Sequence, residues 1–383
     1  MTRRVAVVTT SRADYSHLYW VLRDLETHPA IELKLVATGA HLAREFGSAV
    51  TEIEADGFRI DERVECLLSS DTDVGMAKTI GVATLGLAEA LGRLRPDLLL
   101  LIADRYEMLA PASVALALRI PIAHIEGGEV SEGAIDDAVR NALTKMSHLH
   151  FTPTENARRR VLAMGEEPWR VHRAGAPSLD HLVRNTMIDR AALGQELGVR
   201  LADDAVVVAY HPVTLSRDTL SEADAMFGAM ERLSGQILFC FPNADAGSRE
   251  LIRRAEGFCE ARADAQLFVN LHPLRYWSLL HQANTMLGNS SSGIMESPSL
   301  ELPCVNVGIR QRGRERAANI IDTAADPEAI VAAVERARSA EFRRSLSGMV
   351  NPYGDGTAAK KIVETIASTD LGERLLIKKA MPV

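Results

Sequence analysis

Residues 98–105 read Leu98-Leu99-Leu100-Leu101-Ile102-Ala103-Asp104-Arg105. The run from Leu98 to Ile102 is apolar at every position. A strand with one solvated face alternates apolar and polar side chains, whereas a strand covered on both faces does not. The run therefore reads as a central strand of a parallel sheet, with charge placed just past its end. Outward from it, strands are expected at Val5–Thr9, Glu32–Ala37, Ile122–Ile125 and Leu149–Thr152. Amphipathic stretches at Tyr15–Glu26, Val74–Leu94, Glu107–Leu118 and Ile135–Met146 lie between them. Strands alternating with helices at this spacing indicate βαβ units.

A second series begins near residue 185. Its strands are expected at Val206–Tyr210, Gln236–Phe241, Gln266–Val269, Thr285–Leu287 and Cys304–Val307. Helices are expected at Glu222–Leu233, Ser248–Ala261, Tyr276–Ala283, Gly293–Leu300 and Pro327–Ala337. The segment Ala174–Gly198, with Gly175 and Pro177, reads as the linker. The expected domains are thus residues 1–185, rejoined by a C-terminal helix over 366–383, and residues 186–365. In doubly wound sheets ligands sit beyond the carboxyl ends of the strands. Functional residues should therefore follow strands, in a cleft between the two halves.

Composition agrees with a two-domain globular chain. The protein has 383 residues, of which 47% are hydrophobic and 25% charged. That balance excludes disorder, collagen-like repeats and a disulfide-framed miniprotein. With 43 Lys+Arg against 51 Asp+Glu the net charge is −8, which argues against a nucleic-acid binder working by broad phosphate neutralisation. No stretch approaches the about 18 uninterrupted apolar residues of a membrane span. The N-terminal apolar run stops at Thr9-Thr10-Ser11, so it reads as a strand and not as a signal peptide. Cys66, Cys240, Cys259 and Cys304 form no CxxC pair and read as reduced thiols of a cytoplasmic protein.

Polar residues follow each strand. After the first come Ser11-Arg12-Ala13-Asp14-Tyr15-Ser16, with neither a GxGxxG nor a Walker pattern, which counts against NAD and ATP. An Arg and a Ser at a helix N-terminus could hold a phosphate; an N-capping Ser beside a solvated Arg is the structural alternative. Asp104 and Arg105 follow the Leu98–Ile102 strand, and Glu126-Gly127-Gly128-Glu129 follow Ile122–Ile125. Asp136-Asp137 open the next helix. Carboxylates facing one cleft repel, so one of them should have a raised pKa suited to proton transfer. Helix capping is the competing account of Asp136 and Asp137.

In the second half His211 follows a strand, ahead of Pro212. Pro242-Asn243 and Asp245 follow the next, and Gly288-Asn289-Ser290-Ser291-Ser292-Gly293 runs into a helix bearing Glu296. Such a turn offers hydroxyls and N–H groups to an anion, and Glu296 could accept two ribose hydroxyls. Arg310-Gln311-Arg312-Gly313-Arg314-Glu315-Arg316 follows the last strand, and guanidiniums suit a diphosphate. Arg158-Arg159-Arg160 reads as a solvated helix face. His124, His148 and His150 show no metal-ligand spacing with a third ligand, so no catalytic metal is expected.

Taken in order, these residues resemble the hydrolysing UDP-N-acetylglucosamine 2-epimerases. The matching motifs are Ser11-Arg12-Ala13-Asp14-Tyr15, Asp104-Arg105, His124-Ile125-Glu126-Gly127-Gly128-Glu129-Val130-Ser131, Ile135-Asp136-Asp137 and Thr144-Lys145. His211-Pro212-Val213-Thr214, Phe241-Pro242-Asn243, Asp245-Ala246-Gly247-Ser248, Gly288-Asn289-Ser290-Ser291 and Gly313-Arg314-Glu315 complete them. The resemblance implies a GT-B-like α/β fold of two Rossmann-like domains with parallel sheets and an interdomain active-site cleft. It implies conversion of UDP-GlcNAc and water to ManNAc and UDP, in sialic acid and related nonulosonic acid pathways. UDP would leave by anti-elimination to 2-acetamidoglucal, and hydration would invert C2. No cofactor is implied. Asp104, Glu126 and Asp136 would be the acid/base carboxylates, and His211 would lie between sugar and diphosphate. UDP would be held by Arg12, Ser16, Arg105, His211, Asn243, Ser290, Ser291, Glu296 and Arg310. Homodimers or homotetramers are expected.

Three positions depart from the family pattern. Ala103 replaces the usual Gly, Asn141 stands where many relatives have His, and His17 stands where some have Lys or Gly. Contacts at the sugar edge are therefore expected to differ. Animal bifunctional relatives continue into a kinase domain, for which this chain is too short. Rival readings are the same reaction on UDP-2,4-diacetamido-2,4,6-trideoxyglucose of the legionaminic acid pathway, or on a GDP-linked sugar. A GT-B glycosyltransferase or a non-catalytic UDP-sugar sensor are the further alternatives.

Overall fold

The computed structural model describes residues 2–43, 50–68, 72–102, 105–132, 135–211, 221–241, 248–269 and 271–379. The chain forms two compact units. The first comprises Met1–Glu129, Ile135–Asp180 and Tyr353–Val383; the second comprises Val130–Ala134 and His181–Pro352. The units divide five residues before the sequence boundary at 185/186, and the chain re-enters the first at Tyr353, ahead of position 366.

The first unit holds β1 (Arg3–Thr9), β2 (Ile31–Thr38), β3 (Ile60–Val64), β4 (Leu98–Ile102), β5 (Ile122–Ile125), β6 (Leu149–Thr152) and β7 (Val171–Arg173). They form one sheet in the order β3-β2-β1-β4-β5-β6-β7, with every pair parallel. The second unit holds β8 (Val206–Ala209), β9 (Ile237–Phe241), β10 (Ala265–Val269), β11 (Thr285–Gly288), β12 (Cys304–Val307) and β13 (Ile320–Thr323). Its order is β10-β9-β8-β11-β12-β13, again all parallel. Both sheets repeat the 3-2-1-4-5-6 winding of a dinucleotide-type fold. The order reverses between β1 and β4 in one and between β8 and β11 in the other, the places where such sheets bind ligands.

The uniformly apolar strands are explained by cover on both faces. Val206, Val208, Ile237 and Phe239 enter one core of the second unit, while Val207, Ala209, Leu238 and Cys240 enter another. In the first unit Leu98–Ile102 is buried throughout. Its core also takes Leu18, Leu22 and Leu25 from α1 (Arg12–Thr27), and Ile362, Val363 and Ile366 from the helix Ala358–Ser368. Arg170, fully buried, donates to the carbonyls of Leu375, Arg374 and Ile377 at 2.7, 2.9 and 2.8 Å, fixing the last turn of the chain to the same unit.

The Ala174–Gly198 stretch, expected as the linker, contains the division after Asp180 and also holds the helices Asp180–Arg184 and Arg190–Leu197. Three expectations need revision. The helix expected over 366–383 is instead Ala358–Ser368 followed by the short helix Glu373–Leu376. The helix expected at Gly293–Leu300 breaks into Ser292–Met295 and a 3-10 turn Ser297–Leu300 because Pro298 supplies no N–H. β3, β7 and β13 were not anticipated. The helix Val74–Leu94 is long and apolar enough by length and composition to cross a membrane. Lys78 and Glu89 interrupt it, and it packs on the helix Leu109–Leu118.

Candidate active site

In the first unit β1 ends at Thr9, and Ser11 caps α1 by accepting from the Asp14 amide at 3.4 Å. This is the capping role foreseen for that serine. Asp14 is buried and accepts from the Thr10 amide at 3.0 Å and from the Thr10 hydroxyl. Burial pushes its pKa up, against the opposing pull of Arg105 and the Thr10 hydrogen bonds. Arg12 and Ser16 lie four residues apart on α1 and so share a face. Arg12 pairs with Glu52 at 2.6 Å, a partner the sequence did not single out.

Arg105 follows β4 and forms a two-point pair with Glu107, Nε to Oε2 at 3.3 Å and Nη2 to Oε1 at 3.1 Å. Glu107 is buried, so the guanidinium is fixed in direction. His41, also buried, meets the Thr9 hydroxyl at 2.9 Å. Burial, with Arg105 and Arg12 nearby, pushes its pKa down to about 3. Asp104 lies outside the described residues.

Glu126, the first residue past β5, has φ +65. A non-glycine residue in the left-handed region carries roughly 1–2 kcal/mol of strain, and such strain gathers at functional sites. Its amide donates to the Phe151 carbonyl at 2.8 Å, and its carboxylate meets His17 Nδ1 at 3.1 Å. Gly128, at φ +78, passes so close to the helix Glu155–Ala163 that a Cβ would stand 2.2 Å from the Ala157 carbonyl. Arg160 donates to the Gly128 carbonyl at 3.2 Å, so it braces this loop and is not merely a solvated face. Arg140, buried, donates to the Glu129 carbonyl at 3.1 Å.

Asp136 and Asp137 occupy the first turn of the helix Asp136–Met146, whose N-cap, Ile135, offers no side-chain bond. Asp137 accepts from Asn141 at 3.1 Å, while Asp136 is half-buried. His124, His148 and His150 are buried: His124 lies 3.4 Å from the Thr144 hydroxyl, and His148 accepts from the Ile122 amide at 3.0 Å. His150 pairs with Glu166 at 3.1 Å.

In the second unit the site is built where β8 and β11 end. Gly288 has φ +139, and a Cβ there would stand 2.1 Å from the Ala209 carbonyl; only glycine allows the two strands this approach. The buried side chain of Asn289 then accepts from the His211 amide at 2.7 Å and donates to the His211 carbonyl at 2.8 Å. Burial, and Arg310 after it, push His211 down to about 3, so its imidazole is neutral at physiological pH. The Asn289 carbonyl accepts from Arg310 at 3.0 Å and from Gln311 at 2.8 Å.

The Ser290 and Ser292 hydroxyls are 2.9 Å apart, and Ser292 meets the Tyr276 hydroxyl at 2.6 Å. Ser291 is half-buried at the start of the Ser292–Met295 turn, and Glu296 is buried at its end. The arginine cluster separates into distinct roles. Arg310 stays at the β11 end, Arg316 pairs with Asp322 at 3.0 Å, and Arg314 donates to the Val130 carbonyl at 3.0 Å. Asn243 lies outside the described residues.

Asn289, Glu107 and Gln311 were absent from the expected site. Asn289 could have been picked out by its place after Gly288 at the end of an apolar strand. Glu107 sits two residues after its partner Arg105, a pairing the sequence shows once Arg105 is singled out, whereas Gln311 shows no local signal because its partner, Asn289, lies 22 residues away.

The comparisons fit this geometry. Residues 23–367 match the family model described as UDP-N-acetylglucosamine 2-epimerase. A Campylobacter jejuni protein named GDP/UDP-N,N'-diacetylbacillosamine 2-epimerase (hydrolyzing) is 35% identical over 95% of this chain and 94% of its own. A Legionella pneumophila UDP-N,N'-diacetylbacillosamine 2-epimerase (hydrolyzing) is 35% identical over 99% of each chain. The Methanocaldococcus jannaschii UDP-GlcNAc 2-epimerase, solved with UDP-GlcNAc and UDP, shares the fold with a TM-score of 0.78 and 19% identity over 96% of this chain and 100% of that one. Two doubly wound units in a GT-B-like fold, and sequence identity running nearly end to end, place the chain in the hydrolysing UDP-N-acetylglucosamine 2-epimerase family, and it is an enzyme of that family.

Proposed function

We propose that the enzyme hydrolyses and epimerises UDP-N,N'-diacetylbacillosamine, that is UDP-2,4-diacetamido-2,4,6-trideoxyglucose, giving UDP and the 2-epimeric free sugar. The sequence reading puts UDP-GlcNAc first and this sugar second. The observation that reverses the order is the pair of 35%-identical relatives, each matched over at least 94% of its length and named for the diacetamido sugar.

In the first step a carboxylate among Asp104, Glu126 and Asp136 takes the C2 proton. The C1–O bond to UDP then breaks, its electrons leave with the diphosphate, and a C1=C2 double bond forms. In the second step water adds its oxygen to C1, and a proton reaches C2 from the opposite face. Proton transfer by positioned carboxylates contributes about 10²–10⁴-fold. The departing diphosphate needs donors aimed at its developing charge. Arg12, Ser16, Arg105, His211, Asn243, Ser290, Ser291 and Arg310 would supply them. The neutral His211 still has one N–H to give, and Glu296 would accept the ribose hydroxyls. The steps use no nicotinamide and no metal.

The buried free thiols Cys66, Cys240 and Cys304 support a reducing, cytoplasmic setting. Leu85, 75% exposed on the helix Asp73–Leu94, and Leu116 and Leu118 on its neighbour support a homo-oligomer. The substrate assignment is tested by kcat/KM for the two UDP sugars. A preference of about 10²-fold for the diacetamido sugar is expected, since a pocket built to bond an acetamido group rejects a hydroxyl in its place. Preference for UDP-GlcNAc would restore the first reading.

A further inference from the structure

The Glu126 carboxylate is held by a residue from a different element. The backbone of Glu126 is fixed by its left-handed φ and by the bond to Phe151, but its side chain still turns about several single bonds. One contact that holds it comes from His17 on the second turn of α1, 109 positions away in the chain, with Nδ1 3.1 Å from Oε1. The His17 side chain is 25% exposed and that of Glu126 9%, so the pair opens to solvent and is not a core contact. α1 also carries Arg12 and Ser16 at the end of β1, beside the reversal of strand order.

We infer that His17 is a positioning residue for the epimerisation: its Nδ1–H holds the Glu126 carboxylate in the direction the proton transfer needs. The inference rests on the proposed acid/base role of Glu126. It assigns to position 17 an effect on turnover and not on nucleotide affinity. A carboxylate displaced by about 1 Å can cost 10²-fold in rate.

The test compares His17→Leu, His17→Asn and His17→Gln with Glu126→Gln and with the His17→Leu/Glu126→Gln double variant. Each is measured for kcat, KM, UDP affinity and Tm. The amide nitrogen of Asn lies where Nδ1 of His lies, whereas that of Gln projects one bond further. His17→Leu and His17→Gln should lower kcat by about 10–100-fold, with UDP affinity within about twofold of wild type. His17→Asn should recover most of the loss. With Glu126 already an amide, removing His17 should cost less than about twofold more, because the two act as one unit.

Wild-type kcat in a folded His17→Leu, or loss of UDP affinity in step with kcat, would overturn the inference. So would a full His17→Leu loss repeated in the Glu126→Gln background. Should His17→Leu lose its fold, the order of Asn above Gln decides, and equal kcat in those two overturns it. Glu126→Gln alone separates the two levels of the argument. Wild-type turnover there removes the role of Glu126 itself, whereas loss of turnover beside an indifferent His17 removes only the positioning.

Discussion

At the scale of single residues, chemistry is prepared by contacts that hold polar groups in place. Arg105 is aimed by Glu107, His211 by Asn289, and Glu126 by His17 and by its own strained backbone. Glu126→Gln keeps the size of the side chain and removes the charge. It should lower kcat by about 10²–10⁴-fold while UDP affinity by calorimetry stays within about threefold, because other residues are proposed to hold UDP. Equal loss of turnover and UDP affinity would mean that Glu126 serves binding. The places of Glu126, Asp136, Arg105 and His211 in the fold were legible because each follows a strand or opens a helix. Gln311 was not, since nothing near it in the chain announces Asn289, the partner that folding brings to it, and Glu107 was passed over although Arg105 stands two residues before it.

At the scale of elements, the winding of each sheet places its loops, and glycine permits the closest approach. Gly288→Ala sets a Cβ 2.1 Å from the Ala209 carbonyl at φ +139, so β8 and β11 must part. The variant should lose Tm and bind UDP at least about tenfold more weakly, because His211 and the Ser290 turn move with the strand ends. Gly57→Ala, also at positive φ but with nothing within 4 Å of the added Cβ, should leave UDP affinity unchanged. UDP affinity unaffected in Gly288→Ala would separate the strand ends from the nucleotide site. The strands missed from sequence share one property. β3, β7 and β13 are all sheet edges, read Ile-Asp-Glu-Arg-Val, Val-His-Arg and Ile-Ile-Asp-Thr, and carry polar residues where the central strands β4 and β8 are apolar throughout. Central strands announce themselves by cover on both faces; edges half-exposed to water do not.

At the scale of the whole molecule, buried neutral histidines make stability depend on pH. His41 and His148 are pushed down to about 3 and about 4, in each case by burial first and by neighbouring cations after it. The unfolded chain, whose histidines titrate near 6.5, binds more protons than the folded one between those values. Stability is therefore fully present above about pH 6.5 and is lost as pH falls toward 4. Glu166 acts in the same direction further down. Burial would raise its pKa, but hydrogen bonds from His150, Lys145 and Lys378 outweigh this and bring it to about 2. Tm should fall by several degrees between pH 7.5 and pH 5.0, and a flat profile would contradict this account of the buried histidines. The two-unit α/β plan was legible from the alternation of short apolar runs and amphipathic stretches. The helices within 180–197 were hidden by the glycine and proline that precede them. The account as a whole rests on breaking and remaking a bond at C2, and proton NMR of the enzyme with UDP-N,N'-diacetylbacillosamine in D2O tests that most directly. It predicts free UDP together with the 2-epimeric sugar carrying deuterium at C2. Release of UDP with the C2 proton retained, or an intact sugar nucleotide, would contradict it.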